Sequence, residues 1–121
     1  MNWMILVNIA LALWGWHGEA NISVTEATDY DGPGWIAFAA IYPDSCVIGL
    51  FPSRWGSMAD AQQIIDHEVG HCLGLDHIEG SGIMRARVDP DAFSPSVNDW
   101  WEFRRVHPLQ RRITIPQVTT P

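Results

Sequence analysis

The chain has 121 residues, enough for one domain with a single core and little room for accessories. Its formal net charge is −7 and its pI about 4.9, which argues against nucleic acid as a partner, because phosphate binding needs a basic face. All seven basic side chains are arginine and none precedes Arg54, whereas Arg104, Arg105, Arg111 and Arg112 make the C-terminal end locally basic, read most simply as a solvated face.

Met4 to Trp14 is an apolar run broken only by Asn8. It is well short of the roughly 20 residues that a membrane span requires. The length suits a signal-peptide core, with Ala10-Leu11-Ala12 or Gly18-Glu19-Ala20 as small-residue cleavage sites, although no Lys or Arg precedes it. Asn21 to Thr25 alternates polar and apolar side chains, the pattern of a half-buried strand. Asp29 to Gly34 is a turn by its Asp, Gly and Pro content. Trp35 to Tyr42 reads as a second strand ended by Pro43-Asp44, and Cys46 to Phe51 as a third ended by Pro52. Ser57 can cap a helix from Met58 to Leu73, with Asp60 favourably placed in its first turn. Met58, Ala61, Ile65, Val69 and Cys72 recur every three or four residues and should be its buried stripe. Asp60, Ile64, His67 and His71 fall on another face, toward a cleft.

Two cysteines, Cys46 and Cys72, permit at most one internal disulfide. Buried free thiols are the expectation for both, since a bridge needs Cα atoms within about 7 Å.

The stretch Asp66-His-Glu-Val-Gly-His-Cys-Leu-Gly-Leu-Asp-His77 carries H-E-x-x-H-x-x-G-x-x-H. A bare H-E-x-x-H would arise by chance in roughly one such chain in a hundred, and adding Gly74 and His77 lowers that to a few in 10⁵. Positions four apart share a helix face, so His67 and His71 can aim two ring nitrogens at one point. Glu68 is rotated by about 100° from His67, beside the metal rather than among its ligands. Gly74 lies where helices end in a left-handed residue, letting the chain double back and bring in His77. Three imidazoles leave a fourth tetrahedral position to water, the mark of a catalytic rather than a closed zinc site. The expected metal ligands are therefore His67, His71 and His77, with Glu68 as the catalytic base. Neither cysteine is needed as a ligand.

Beyond the motif, Arg85 to Pro95 reads as a loop with two prolines. Ser96 can cap a last helix through about His107, burying part of Trp100, Trp101, Phe103 and Val106. His17 and His107 are isolated and read as incidental. The organisation is an apolar segment at 1–17, a catalytic domain at 18–107 and a proline-rich extended tail at 108–121.

At the quoted motif, including Gly70 and Leu73-Gly-Leu-Asp-His77, the chain resembles the metzincin clan of zinc endopeptidases, most closely the matrixins. The resemblance spans approximately residues 20 to 106, and only the zinc motif within it is highly specific. It implies an α+β zincin fold: a small, twisted, mainly parallel β-sheet with an antiparallel edge strand, an active-site helix, a methionine-containing turn and a C-terminal helix. Ser81-Gly-Ile-Met84 looks like that turn, with Met84 beneath the metal. Asp31-Gly-Pro-Gly34 and the strand after it look like the family's substrate-binding edge, here Trp35, Ile36, Ala37, Phe38, Ala39 and Ala40. The resemblance adds a third reading of Met4 to Trp14, an N-terminal packing helix laid across the sheet.

It also implies a zinc-dependent endopeptidase, probing an extended polypeptide substrate, with one catalytic Zn²⁺ and Glu68 activating the water. A secreted or extracytoplasmic monomer follows by family habit. Specificity would be set by the wall between His77 and about Val88, where Arg85 and Arg87 can reach a pocket. The alternative is a non-catalytic zinc-binding recognition module, whose usual mark is loss of the glutamate retained here at Glu68. The chain departs from the matrixin pattern upstream. Only 66 residues precede His67, so the first strand and the loop that carries structural zinc and calcium in that family are expected to be shortened or absent, leaving a structural calcium open. No pro-segment with a zinc-blocking cysteine is recognisable.

Overall fold

A computed structural model describes residues 2–26, 34–55, 61–80, 82–86, 92 and 94–107. The expected turn at 29–33, the cap at Ser57 with Met58 and Asp60, Ser81, Arg87, Val88 and the tail from 108 onward lie outside the described residues.

The first element is α1 (Trp3–Trp14). The Asn2 side chain caps it by accepting from Met4 N–H at 3.1 Å. Gly15 ends it at φ 71, with Gly15 and Trp16 N–H returning to Ala12 and Leu11 carbonyls. Val7, Ala10 and Trp14 recur on one face and are fully buried. That face packs on the metal-motif helix, where the Trp14 indole donates to the Asp66 carbonyl at 3.0 Å. In this structure residues 3–14 thus form a helix packed chiefly on the helix of residues 61–72 and not across the sheet.

Three strands follow: β1 (Ile22–Glu26), β2 (Ala37–Tyr42) and β3 (Ser45–Leu50). Their spatial order is β1-β3-β2. β1 runs parallel to β3 with Ile22 opposite Cys46, and β2 runs antiparallel to β3 with Tyr42 opposite Ser45 across the Pro43-Asp44 turn. The sheet is thus evenly mixed, not mainly parallel, because only one parallel pair is present among the described residues. β2 begins two residues later than the sequence pattern suggests. Ile36 still ties to the neighbouring chain, its carbonyl accepting from Phe51 N–H at 3.1 Å and the Trp55 indole at 2.9 Å.

Next comes α2 (Ala61–Cys72), whose Ile65 and Val69 are fully buried while Ala61 and Cys72 at the stripe's edges are half-buried. Its core partners are Ile48 and Leu50 of β3 and Trp14 of α1, all without exposure. α3 (Val97–Val106) closes the domain. Ser96 accepts from Asp99 N–H while Asp99 accepts from Ser96 N–H, a reciprocal capping box. Phe103 stacks on Trp14 with centroids 5.7 Å apart, and Trp100 meets Trp14 edge-on. Trp101 corrects the sequence expectation: it is 70% exposed, because it lies on the helix face opposite Phe103. His107 is not incidental either. It ends α3, its Nε2 meets the Leu73 carbonyl, and its ring stands against Trp16 and Phe103.

A further correction concerns the cysteines. Cys46 and Cys72 are not free thiols but a disulfide, with Cα atoms 5.6 Å apart. Sequence separation of 26 residues hid a contact that the β3–α2 packing creates. The bond fastens the last residue of the motif helix to the central strand. No described helix is long and apolar enough to cross a membrane. Replacing Cys46 and Cys72 together by Ser should lower the unfolding free energy by about 3–4 kcal/mol, from the entropy returned to the unfolded chain. Denaturant titration of the oxidised protein and the double variant measures this; a difference below about 1 kcal/mol would show that the bond constrains little.

Candidate metal centre

His67, Glu68 and His71 project from the middle and end of α2, and His77 from the segment after it. The reversal between them depends on Gly74, at φ 96, with Leu75 N–H returning to the Gly70 carbonyl at 3.0 Å. The three rings converge, with centroids 4.7, 5.3 and 4.9 Å apart, and their candidate ligand atoms all lie within 4.8 Å of one another. These three histidines could hold a metal ion.

The hydrogen bonds show which ring atoms are on offer. His67 Nδ1 lies 2.6 Å from the Ile83 carbonyl, and His71 Nδ1 lies 2.7 Å from the Leu75 carbonyl. A carbonyl only accepts, so each Nδ1 carries the proton and each Nε2 is left with a bare lone pair. Those two Nε2 atoms face each other at 3.1 Å. Two lone pairs so close repel unless a cation lies between or beside them. Burial also disfavours the imidazolium: it lowers the His67 pKa to about 4, and lowers that of His71 as well. Both rings are therefore neutral near pH 7, the form that ligates metals.

The carbonyl that orients His67 is itself held. Ile83 and Met84 N–H donate to the two Asp99 carboxylate oxygens at 2.9 and 3.3 Å, so α3 fixes the turn beneath the histidines. Ile78 N–H donates to the Met84 carbonyl at 2.8 Å, tying the His77 segment to the same turn. Met84 is fully buried below α2, and a Cβ at Gly70 would stand 2.3 Å from its sulfur. A side chain at Gly70 would thus have to displace the Met84 thioether on which the helix rests. Sequence reasoning missed Asp99, although Ser96-Val-Asn-Asp99 carries the capping-box spacing that would have marked it. Nothing in the sequence signals its bonds to Ile83 and Met84.

Glu68 is buried at 6% exposure and lines the same cleft as the histidines. Burial alone raises its pKa to about 7. A carboxyl at that value can take or give a proton near neutrality. The cleft, of about 800 Å³, runs between α2 and β2. Of the expected edge residues, Trp35, Ile36, Ala37, Phe38 and Ala39 line it and Ala40 does not. Ile64 lines it as the helix-face reading required, and so does Arg85; Arg87 lies outside the described residues. No model of a known protein family matches the chain, and no curated protein matches it.

In the metal-free protein the two large shifts oppose each other. The unfolded chain protonates His67 below about 6.5 while the folded chain resists to about 4, so this term raises stability as pH rises through that window. The folded chain keeps the Glu68 proton to about 7 while the unfolded chain releases it near 4.5, so this term lowers stability as pH rises. Metal-free Glu68→Gln should therefore gain stability more steeply than wild type between about pH 4.5 and 6.5, measured by denaturant titration in chelator. Parallel profiles would contradict the burial of that carboxyl.

Proposed function

We propose that the chain is a zinc-dependent endopeptidase of the metzincin type, closest to the matrixin catalytic domain. The observation that carries this reading is the pair of bare His67 and His71 Nε2 atoms 3.1 Å apart, next to His77 and a buried carboxyl. Two nitrogens each about 2.0–2.1 Å from zinc at a tetrahedral angle would lie roughly 3.3 Å apart, so the donor set suits that ion. Neutral nitrogen donors also disfavour calcium and magnesium, which take oxygen. Burial of Met84 under α2 and its carbonyl bond to Ile78 support the Met-turn reading of 81–84.

His67, His71 and His77 would hold the metal. When bound, zinc supplies Lewis acidity toward the peptide carbonyl and toward the attacking water. Glu68, buried beside the histidines, takes the proton from that water and returns it to the leaving amine. β2 lies at the edge of the sheet on the cleft side, which supports seating of an extended substrate as an added strand. The apolar lining from Trp35 to Ala39 leaves orientation to backbone pairing and side-chain preference to the opposite wall. A Cys46–Cys72 bond persists in oxidising compartments, which supports a secreted or extracytoplasmic site of action.

The purified protein should bind one zinc per chain and cleave an unfolded protein in a chelator-sensitive way. Glu68→Gln should keep the zinc and lose about 10²- to 10⁴-fold in kcat, the usual contribution of a general base. Zinc-loaded wild type that cleaves nothing in a broad peptide library would favour the non-catalytic recognition module instead.

A further inference from the structure

Charge is scarce in the cleft. Among the described residues that line it, the acidic and basic side chains are Glu68, on α2, and Arg85, just past Met84. Ile36, Ala37, Phe38 and Ala39 on the strand side offer hydrocarbon alone. Gln63 is buried, and its amide already donates to the Ala92 carbonyl at 3.1 Å. An anionic group on a ligand lying there therefore has one described arginine to meet.

Arg85 stands where such a ligand passes the histidines. It lines both the main cleft and a smaller hollow of about 250 Å³, and His77 and Ala86 border both as well. The side chain is exposed and makes no ion pair among the described residues. Glu79 shares the smaller hollow without pairing to Arg85, and it does not line the main cleft. An exposed arginine is ordinarily a solvated charge and nothing more. This one borders a clustered histidine on the wall of a mostly apolar cleft, and its planar fork matches a carboxylate at two points.

The net charge of −7 does not oppose an acidic ligand. Repulsion from distant exposed acids is screened beyond about 8 Å at physiological salt, so the nearest cation sets the local preference.

We infer that the cleft takes an extended polypeptide with an aspartate or glutamate within two residues of the carbonyl presented to the histidines, and that Arg85 pairs with that side chain. This rests on the seating of a peptide along β2 proposed above, and not on its hydrolysis.

The test uses zinc-loaded Glu68→Gln protein and an array of octapeptides of Ala and Leu, blocked at both ends, each carrying Glu, Gln or Lys at one scanned position. Glu and Gln share a shape, so the ratio of their affinities isolates charge. At one or two positions Glu should bind about threefold or more tighter than Gln, the scale of a partly exposed charge pair. Arg85→Ala should bring that ratio within about twofold of one. Arg85→Lys should retain a preference for Glu, and Arg85→Glu should turn the preference to Lys. Salt near about 1 M should flatten it. Independently of any variant, the Arg85 Nε–H signal in ¹⁵N spectra should shift with the Glu peptide and not with its Gln twin. No binding by any peptide, a ratio below about threefold at every position, or an Arg85 signal indifferent to the Glu peptide would overturn the inference. So would a ratio that survives Arg85→Ala, which would assign the carboxylate to the metal. Selective binding of Glu peptides without any cleavage by wild type would sink the peptidase reading alone, whereas cleavage indifferent to acids would sink this one alone.

Discussion

Two backbone carbonyls govern this molecule. The Ile83 and Leu75 carbonyls each accept a hydrogen bond from a histidine Nδ1–H, and by doing so leave both Nε2 lone pairs aimed into one small volume. An imidazole without such an anchor would rotate and exchange its tautomer, and the convergence would be lost. Much of the surrounding structure serves to hold those oxygens. Asp99, brought in by the capped start of α3, grips the Ile83–Met84 turn. Gly74 turns the chain at the end of α2, which sets Leu75 back along the helix.

So small a domain has few layers with which to keep a helix in place. α2 is held from several sides: by α1 through Val7, Ala10 and Trp14, by the sheet through Ile48 and Leu50, and by the covalent link from Cys72 to Cys46. Trp14 joins three parts at once, donating to Asp66 in α2 and stacking with Phe103 of α3. The same close packing dries the site. It keeps His67 and His71 neutral and pushes the Glu68 carboxyl toward neutrality, so the electrostatics of the centre follow from the core and not from nearby opposite charges.

Elements with strong local signals were legible from residue types alone. The alternation at 21–25, the Pro43-Asp44 break, the four-residue histidine spacing and the cap at Ser96 each act within a few positions, and each corresponds to an element within one to three residues of its expected bounds. The left-handed Gly74 belongs with them. What escaped the sequence is contact between distant segments. The Cys46–Cys72 bond depends on how β3 lies under α2, and Asp99 acts on a turn 15 residues away. Trp101 was misplaced because an apolar residue beside Trp100 carries no mark of which helix face the core will take. The histidine trio was readable because its spacing is local; the apparatus that orients it was not.

The most direct measurement of the central claim is the ¹⁵N spectrum of the imidazoles, recorded through long-range proton couplings in metal-free protein near pH 7 and again with one equivalent of zinc. His67 and His71 should show protonated Nδ1 and bare Nε2 before zinc is added. With zinc, the Nε2 signals of both should move together in slow exchange and saturate at one ion per chain. Nε2-protonated rings in the metal-free protein, or Nε2 signals indifferent to zinc, would contradict the account.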